Sequence, residues 1–299
     1  MKEKKEYNLE EESYDMEIGN AYDIAIKKTL LDRYPNLEKK LEVTDGVYFN
    51  DEYHNALWAL ISEKKENEKK YKSEFESSSP YPNEEHVEQR RWKMCSIASS
   101  SRLCFLKYKE EAEFEKIIKN DRCRPHFDAY KEKDNTFFEY KCHEIVQSHT
   151  PRLSRNAYEG LLNEWFGITL TKDDIKETKD GEKIALSFEM FGINDIELPC
   201  GKFFDFKQFV CHVLGLLGDD VKKNPKPTLQ YVFFLPDEKY LDTDRLKKWN
   251  SEFEVLIDTL FPLLKEMKVK DGKLKDYVNL ADPLKPLVSE VNDPILEKK

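Results

Sequence analysis

The chain has 299 residues, enough for one large domain with a substantial core or for two smaller domains. Charged residues make up 36% of it and the formal net charge is −10, which argues against an overall basic nucleic-acid binder but leaves room for a local basic groove. The six cysteines form no CxxC pair and no apolar run is long enough to predict a signal peptide or a membrane span, so free thiols in a cytoplasmic protein are expected.

The first part of the chain has the apolar spacing of helices. This spacing predicts helices over 21–41, 51–70, 83–108 and 110–118. Pro35 should break the first helix, and Asn83 is a plausible N-cap of the third. The charged and then Ser/Pro-rich stretch 63–83 is the best candidate for a domain boundary, although a solvated helix that runs into a surface loop explains it equally well.

The stretch 124–146 predicts a β-hairpin, because the polar turn 131–135 separates two apolar runs. Period-two alternation in the second run places four side chains on one face, namely Phe137, Glu139, Lys141 and His143, with Glu144 on the other. Asp128 lies on the first strand. Two carboxylates and an ammonium are thereby gathered near one end of the hairpin, and charges beside apolar strand residues are costly unless they are paired or bind a metal. The hairpin therefore predicts a functional site.

The second half of the chain predicts an alternation of helices and strands. The predicted elements are a helix over 156–167, a strand and turn over 181–192, a buried helix over 204–219, a buried strand over 229–236 and a helix over 243–268. The order predicts an α/β fold in which helices flank a mixed central sheet on both faces. Three segments are expected, an N-terminal helical section (1–80), a core (81–240) and a C-terminal helix and tail (241–299).

The pattern Asp128–x10–Glu139–x–Lys141 resembles the PD-(D/E)XK nuclease superfamily, which has the restriction-endonuclease-like fold. The predicted helix before the hairpin, and the helix and buried strand after it, are also like that fold's core. The wording SSSRLCF, RPHFDAY, EYKCHEI and FDFKQFVCHVLG is similar to a group of candidate type II restriction endonucleases of bacteria. The resemblance covers about residues 84–236. It departs from the family where the Pro-Asp pair is Phe127-Asp128, with a proline three residues upstream at Pro125.

The resemblance implies a Mg²⁺-dependent endodeoxyribonuclease, with Mn²⁺ as a possible substitute. It implies that Asp128 and Glu139 are metal ligands and that Lys141 orients the attacking water. Carboxylate oxygens are hard ligands that suit Mg²⁺, and an ammonium offsets charge at the phosphate. Many members add an acidic ligand from the preceding helix, for which Glu88 is preferred here and Glu85 is the alternative.

DNA is the partner that the resemblance implies, and a homodimer is plausible because restriction enzymes of this fold often act as dimers. Four residues are candidates for substrate contact: Gln208, His143, Arg152 and Arg155. Gln208 lies on the predicted helix after the hairpin, and the two arginines lie in a polar loop just past the second strand. A second basic cluster consists of Arg90, Arg91, Lys93 and Arg102 beside Trp92. The alternative for Gln208 is a polar position at the exposed edge of a buried helix. The alternative for the loop with the two arginines is an ordinary solvated surface loop.

Other interpretations of the same residues remain open. Asp205-Phe206-Lys207 also fits the (D/E)xK triplet, and the alternative is that Asp205 is a first-turn acid of a helix. The pairs Cys142-His143 and Cys211-His212 hint at zinc, although without a CxxC or HxxxH partner core thiols are the better interpretation. A protein of another class, an inactive nuclease-fold or helical adaptor that binds a protein partner, fits the acidic pI and the long helical ends.

Overall fold

Helices dominate the first hundred residues, and helices and strands alternate thereafter. The computed structural model describes residues 2–42, 46–80, 90–109, 111–118, 123–218 and 221–297, without the side chains of 2–15, 79–80 and 90–91. The α-helices are α1 (Lys2–Arg33), α2 (Asp51–Ser62), α3 (Lys65–Phe75), α4 (Ser100–Tyr108), α5 (Arg155–Phe166), α6 (Phe206–Leu217), α7 (Asp244–Glu266), α8 (Leu274–Tyr277) and α9 (Pro294–Glu297). The strands are β1 (Ser78–Pro80), β2 (Arg90–Trp92), β3 (Glu113–Ile117), β4 (His126–Lys131), β5 (Thr136–Lys141), β6 (Arg152–Ser154), β7 (Ile175–Thr178), β8 (Gly181–Ala185), β9 (Thr228–Phe233), β10 (Lys268–Val269), β11 (Gly272–Lys273) and β12 (Asn279–Leu280).

A mixed five-stranded sheet forms the centre of the fold, in the order β12-β9-β5-β4-β3. β3, β4 and β5 are antiparallel neighbours, whereas β5 pairs in parallel with β9, and β9 with β12. Because β5 lies in the middle of the sheet, side chains on both of its faces are buried, including Phe137, Phe138 and Tyr140. The predicted hairpin, the buried strand that follows it and the mixed sheet are confirmed.

Helices cover both faces of this sheet. On one face Tyr108 of α4 packs against Phe138 and Tyr140 of β5, with ring centroids 5.2 and 5.8 Å apart. On the other face α6 approaches closely, because Gly215 has no side chain: a Cβ there would meet Cγ of Pro125 at 2.1 Å. The α/β class predicted from the element order is confirmed, as is the N-terminal helical section.

Two of the predicted helices are wrong in the part of the chain that is described. Within 83–108, residues 90–92 are a strand and α4 begins only at Ser100, where the Ser99 hydroxyl accepts a hydrogen bond from Arg102 N; residues 83–89 lie outside the described residues. Within 110–118 the chain forms β3 instead of a helix. Pairing with β4 supplies backbone hydrogen bonds that outweigh the local helical spacing. The predicted helix over 51–70 is two helices, α2 and α3.

A smaller antiparallel sheet, in the order β6-β8-β7, follows the central hairpin and packs against α5. Gly167 ends α5 in the left-handed conformation, with φ 67°, as the sequence predicted. The strand and turn predicted over 181–192 are confirmed as β8 and the 3₁₀ turn at Glu189–Phe191.

A buried ion pair joins three parts of the chain. Arg102 of α4 lies 3.2 Å from Asp293 near the C-terminal end, and their side chains are 1% and 3% exposed. Tyr53 of α2 donates to the same carboxylate at 2.5 Å. The segments predicted as 1–80, 81–240 and 241–299 are thus connected through shared buried contacts. No helix in the described ranges is both long enough and apolar enough to cross a membrane.

Candidate functional site

The central hairpin opens at the position of Asp128. Pairing of β4 with β5 stops at Ala129 and Phe138, although both strands continue beyond it. In the opening, Oδ2 of Asp128 accepts a hydrogen bond from the backbone N of Tyr140 at 2.7 Å. The carboxylate replaces a ladder partner and is thereby fixed beside the last residues of β5, Glu139 and Lys141.

Glu139 is the buried centre of the site. Its side chain is 3% exposed, and its Oε1 accepts from Lys141 Nζ and from Gln208 Nε2, each at 2.7 Å. Oε2 has no hydrogen-bond partner among the described residues, and Nε2 of the His212 ring lies 3.6 Å from a Glu139 oxygen, beyond hydrogen-bond distance. A buried carboxylate oxygen without a donor costs free energy, so Oε2 of Glu139 is the unsatisfied acceptor of the site.

The N-terminal turn of α6 places Gln208 over Glu139. Asp205 is the N-cap of this helix, and its Oδ1 accepts from the backbone N of Gln208 at 2.9 Å. The second (D/E)xK triplet is thereby explained as a helix start, although Asp205 is the N-cap before α6 and not an acid within its first turn. Gln208 thus lies beside the hairpin with the Glu139 carboxylate as its contact, and its role as a substrate contact stays a prediction.

Glu144 also belongs to the site, which the strand alternation did not predict. The strand ends at Lys141, and the chain continues as a 3₁₀ turn over His143–Val146. This turn brings the Glu144 side chain back towards the end of β5 and the start of α4. There Oε1 accepts a hydrogen bond from Ser100 Oγ at 2.9 Å and Oε2 accepts one from Cys142 N at 3.0 Å. The alternation that placed Glu144 on the opposite face is wrong, because it requires an extended chain.

Negative charge exceeds positive charge among these buried groups. Burial, and then the Glu139 carboxylate, raise the pKa of Asp128 well above its usual range. Burial also raises the pKa of Glu139 against the opposing effect of Lys141. Burial would lower the pKa of Lys141, but Glu139, Glu144 and Asp128 outweigh it and raise the pKa. One ammonium contacts Glu139 and feels the charges of two further carboxylates, a balance of charge that favours an additional cation.

His212 is a neutral residue of the core beneath the site. Nε2 lies 2.9 Å from the carbonyl oxygen of His126, and Nδ1 lies 3.2 Å from the hydroxyl of Tyr231. Burial, followed by the charge of Lys141, lowers the pKa of His212 to about 3. Both ring nitrogens already have protein contacts, so His212 is not arranged as a zinc ligand.

The candidate substrate contacts other than Gln208 are differently placed. His143 lies in the turn and not on the strand face, with Nε2 3.7 Å from Asp23 Oδ1 of α1, so its predicted position on the face of Lys141 is wrong. Arg152 is exposed on β6. Arg155 begins α5 and bonds to Glu159 and Glu182, with Nε and Nη1 each 3.0 Å from a carboxylate oxygen.

The second predicted basic cluster does not form as one surface. Arg102 is buried against Asp293, so its expected role in DNA contact is wrong. Lys93 is exposed and lies 2.6 Å from Glu74. The side chains of Arg90 and Arg91 are outside the described residues, as are Glu88 and its alternative Glu85.

Glu115 is a further acid that sequence reasoning missed. It lies on β3 with φ 47°, an unusual conformation for a residue other than glycine. Burial, then the charges of Asp128 and Glu74, raise the pKa of Glu115 to about 8. The sequence predicted a helix over 110–118, which gave no reason to place Glu115 near Asp128. The two acids come together because this segment is a strand that pairs with β4.

The donor set of the site fits Mg²⁺ in part. In the described residues, no three His, Cys, Asp or Glu side chains form a group that could hold a metal ion. Mg²⁺ is often held by only one or two carboxylates, with waters and substrate phosphate as the other ligands. Asp128 and Glu139 supply oxygen donors of that kind, and Oε2 of Glu139 lacks a partner in this structure. Cys142 is fully buried and does not add a soft ligand set for zinc.

Comparison of the chain with known protein families, curated proteins and solved structures finds no match. The structure itself defines an α/β protein with a mixed five-stranded sheet, a helical N-terminal section and a charged cluster at the opening of the central hairpin.

Proposed function

We propose that the protein is a Mg²⁺-dependent endodeoxyribonuclease with a restriction-endonuclease-like core, and that it cleaves specific DNA sequences. The observation that carries the proposal is the buried pair of Glu139 and Lys141, in which Oε2 of Glu139 has no partner in the described part of the chain, beside the fixed carboxylate of Asp128. A surface Glu/Lys pair would need neither burial nor a second carboxylate. The sequence pattern that carries the resemblance thus coincides with a built polar site.

The side chains have separable roles in this proposal. Asp128 and Glu139 would hold Mg²⁺, which supplies a Lewis acid beside the phosphate and lowers the pKa of a bound water. Lys141 is fixed by Glu139, orients the attacking water and offsets negative charge at the phosphate. Gln208 holds Oε1 of Glu139, which leaves Oε2 facing away from that contact. The charge of Glu144 favours the charged form of Lys141.

Contacts to DNA beyond the cleaved phosphate are proposed for His143, Arg152 and Arg155. Arg152 is exposed and is suited to a backbone phosphate. Arg155 would have to exchange a contact with Glu159 or Glu182 for the phosphate. His143 borders the site through its neighbour Glu144.

The test is cleavage of plasmid, phage and genomic DNA, methylated and unmethylated, in the presence of Mg²⁺ or Mn²⁺. The wild-type protein should give discrete fragments that disappear with EDTA. Lys141→Ala should abolish cleavage, whereas Lys179→Ala, which removes an exposed lysine from the turn between β7 and β8, should leave it unchanged. Circular dichroism would establish that both variants are folded.

Equal cleavage by the wild type and Lys141→Ala would indicate a contaminating nuclease and refute the assignment. Absence of cleavage on every DNA, together with no thermal shift on adding Mg²⁺ or Mn²⁺, would favour the adaptor instead. In a metal-binding nuclease, such a thermal shift should be present and should be lost in Asp128→Ala.

A further inference from the structure

A pocket whose lining residues are mostly polar adjoins the candidate site. Its volume is about 280 Å³, and it lies between α1, the start of α4 and the turn that follows β5. We call it the side pocket, and its walls include Asp23, Tyr48, Ser100, His143, Glu144 and Gln147. Glu144 belongs to both the side pocket and the site, because its charge acts on Lys141. The volume is below the roughly 300–1,000 Å³ of pockets for drug-sized ligands, so it suits a single small ring system.

The hydrogen-bonding groups of the side pocket are held in place by the protein. Ser100 Oγ donates to Glu144 Oε1 at 2.9 Å, which ties the start of α4 to the turn. The amide nitrogen of Gln147 lies 3.0 Å from Nδ1 of His143. That contact does not use the amide oxygen of Gln147, whose side chain is exposed and accessible to an N–H donor. The pocket thus presents carboxylate and amide acceptors in fixed positions.

The charge of the side pocket disfavours an anion. Asp23 and Glu144 contribute two carboxylates. Lys93 also lines the pocket, but its Nζ lies 2.6 Å from Glu74, so its charge is largely balanced. A phosphate would be repelled, whereas exocyclic amino groups would be attracted. Tyr48 and His143 add aromatic rings of the kind on which bases stack.

We propose that the side pocket receives one base of the cleaved DNA strand, a base with an exocyclic amino group, and so determines sequence preference next to the cleaved phosphate. The proposal rests on the proposed nuclease function for its biological role. The chemistry follows from the acceptors, since carboxylates and amide oxygens accept from the amino groups of adenine, cytosine and guanine. Thymine has no amino group and is the natural negative comparison.

The first experiment measures nucleoside binding and requires no cleavage. Saturation-transfer NMR on the full chain would compare deoxyadenosine, deoxycytidine, deoxyguanosine and thymidine. At least one amino-bearing nucleoside should give signals that are markedly stronger than those of thymidine. Gln147→Ala should weaken these signals, and the matched variant Gln230→Ala, whose amide lies on β9 and does not line the pocket, should not. Equal binding of thymidine, or no effect of Gln147→Ala, would overturn the proposal.

The second experiment sequences the ends of cleavage products. The wild type should prefer an amino-bearing base at one fixed position near the cut, and Gln147→Ala should reduce that preference by about tenfold. If the protein binds amino-bearing nucleosides through Gln147 but cleaves no DNA, the nuclease function is refuted and the pocket stands. If it cleaves DNA but binds no nucleoside and Gln147→Ala keeps the base preference, the pocket is refuted and the nuclease stands.

Discussion

Replacement of Asp128 by Asn should make the protein more stable at alkaline pH and inactive as a nuclease. The charged form of Asp128 is disfavoured by burial and by Glu139, whereas Lys141 favours it. Two like charges within the roughly 4–6 Å over which neighbouring groups shift a pKa repel by ~3–4 kcal/mol at an effective dielectric constant of about 20. The lost attraction to Lys141 offsets about half of this, which leaves a gain of ~1–2 kcal/mol in the free energy of unfolding. Asn keeps an oxygen that can accept from Tyr140 N, so the hairpin opening is preserved.

The direction in which the raised pKa of Asp128 changes stability with pH follows from proton binding. The pKa of Asp128 is raised in the folded state, so folded protein binds more protons than unfolded protein and wild-type stability is lost as the pH rises through the raised pKa. The stabilisation in Asp128→Asn should therefore be near zero at about pH 4, close to the ordinary pKa of Asp, and should grow above it.

Urea denaturation in EDTA at pH 4 and pH 8 would measure the effect. Asp134→Asn, in the exposed hairpin turn, is the matched control and should change the free energy of unfolding by less than about 0.5 kcal/mol. Asp128→Ala should be less stable than Asp128→Asn by about 1–3 kcal/mol, because Tyr140 N loses its acceptor. If Asp128→Asn were no more stable than the wild type at pH 8, or if its gain were the same at both pH values, the electrostatic reasoning would be refuted.

Gln208→Leu should lower cleavage by about 10–100-fold in kcat with intact folding by circular dichroism, because Glu139 loses an orienting donor; an unchanged rate would contradict the role. The pKa of His212 is lowered in the folded state, so stability is present above about pH 6.5 and lost as the pH falls towards the folded value of about 3. Urea denaturation between pH 6 and pH 4 should therefore show that the free energy of unfolding depends less steeply on pH in His212→Gln than in the wild type, by up to ~1.4 kcal/mol per pH unit. Equal slopes for the two proteins would contradict this prediction. Arg102→Met should lower the free energy of unfolding by about 3–5 kcal/mol, because the buried Asp293 carboxylate loses its opposite charge and keeps only neutral donors such as Tyr53. Arg102→Met combined with Asp293→Leu should recover part of that loss; additive losses would show that the pair is not coupled.

The central hairpin could be predicted from the sequence because its signals are local. A polar turn between two apolar runs, with period-two alternation in the second, identifies β4 and β5 without knowledge of the rest of the chain. The apolar run of β9 and the helix α6 are equally strong local patterns. These elements place Asp128, Glu139 and Gln208 correctly relative to the sheet, and only their contacts had to come from the structure.

The remaining parts of the site depend on contacts between distant residues. Glu144 joins it because the strand stops at Lys141, and alternation alone does not reveal where a strand stops. Glu115 lies in a segment with helical spacing that pairs with β4 instead. Arg102 belongs to a basic stretch of sequence that is typical of a DNA contact. Only its partner Asp293, far along the chain, shows that it is a buried structural residue.

The close approach of α6 to the chain before β4 makes the site sensitive to a distant position. Gly215 lies seven residues beyond Gln208, about 10 Å along the helix axis, and touches Pro125 with no room for a Cβ. Any larger residue there would act as a wedge and tilt the helix away from the sheet. The tilt would lengthen the bond between Gln208 and Glu139, so the geometry of the candidate site depends on a residue about two helical turns away from it.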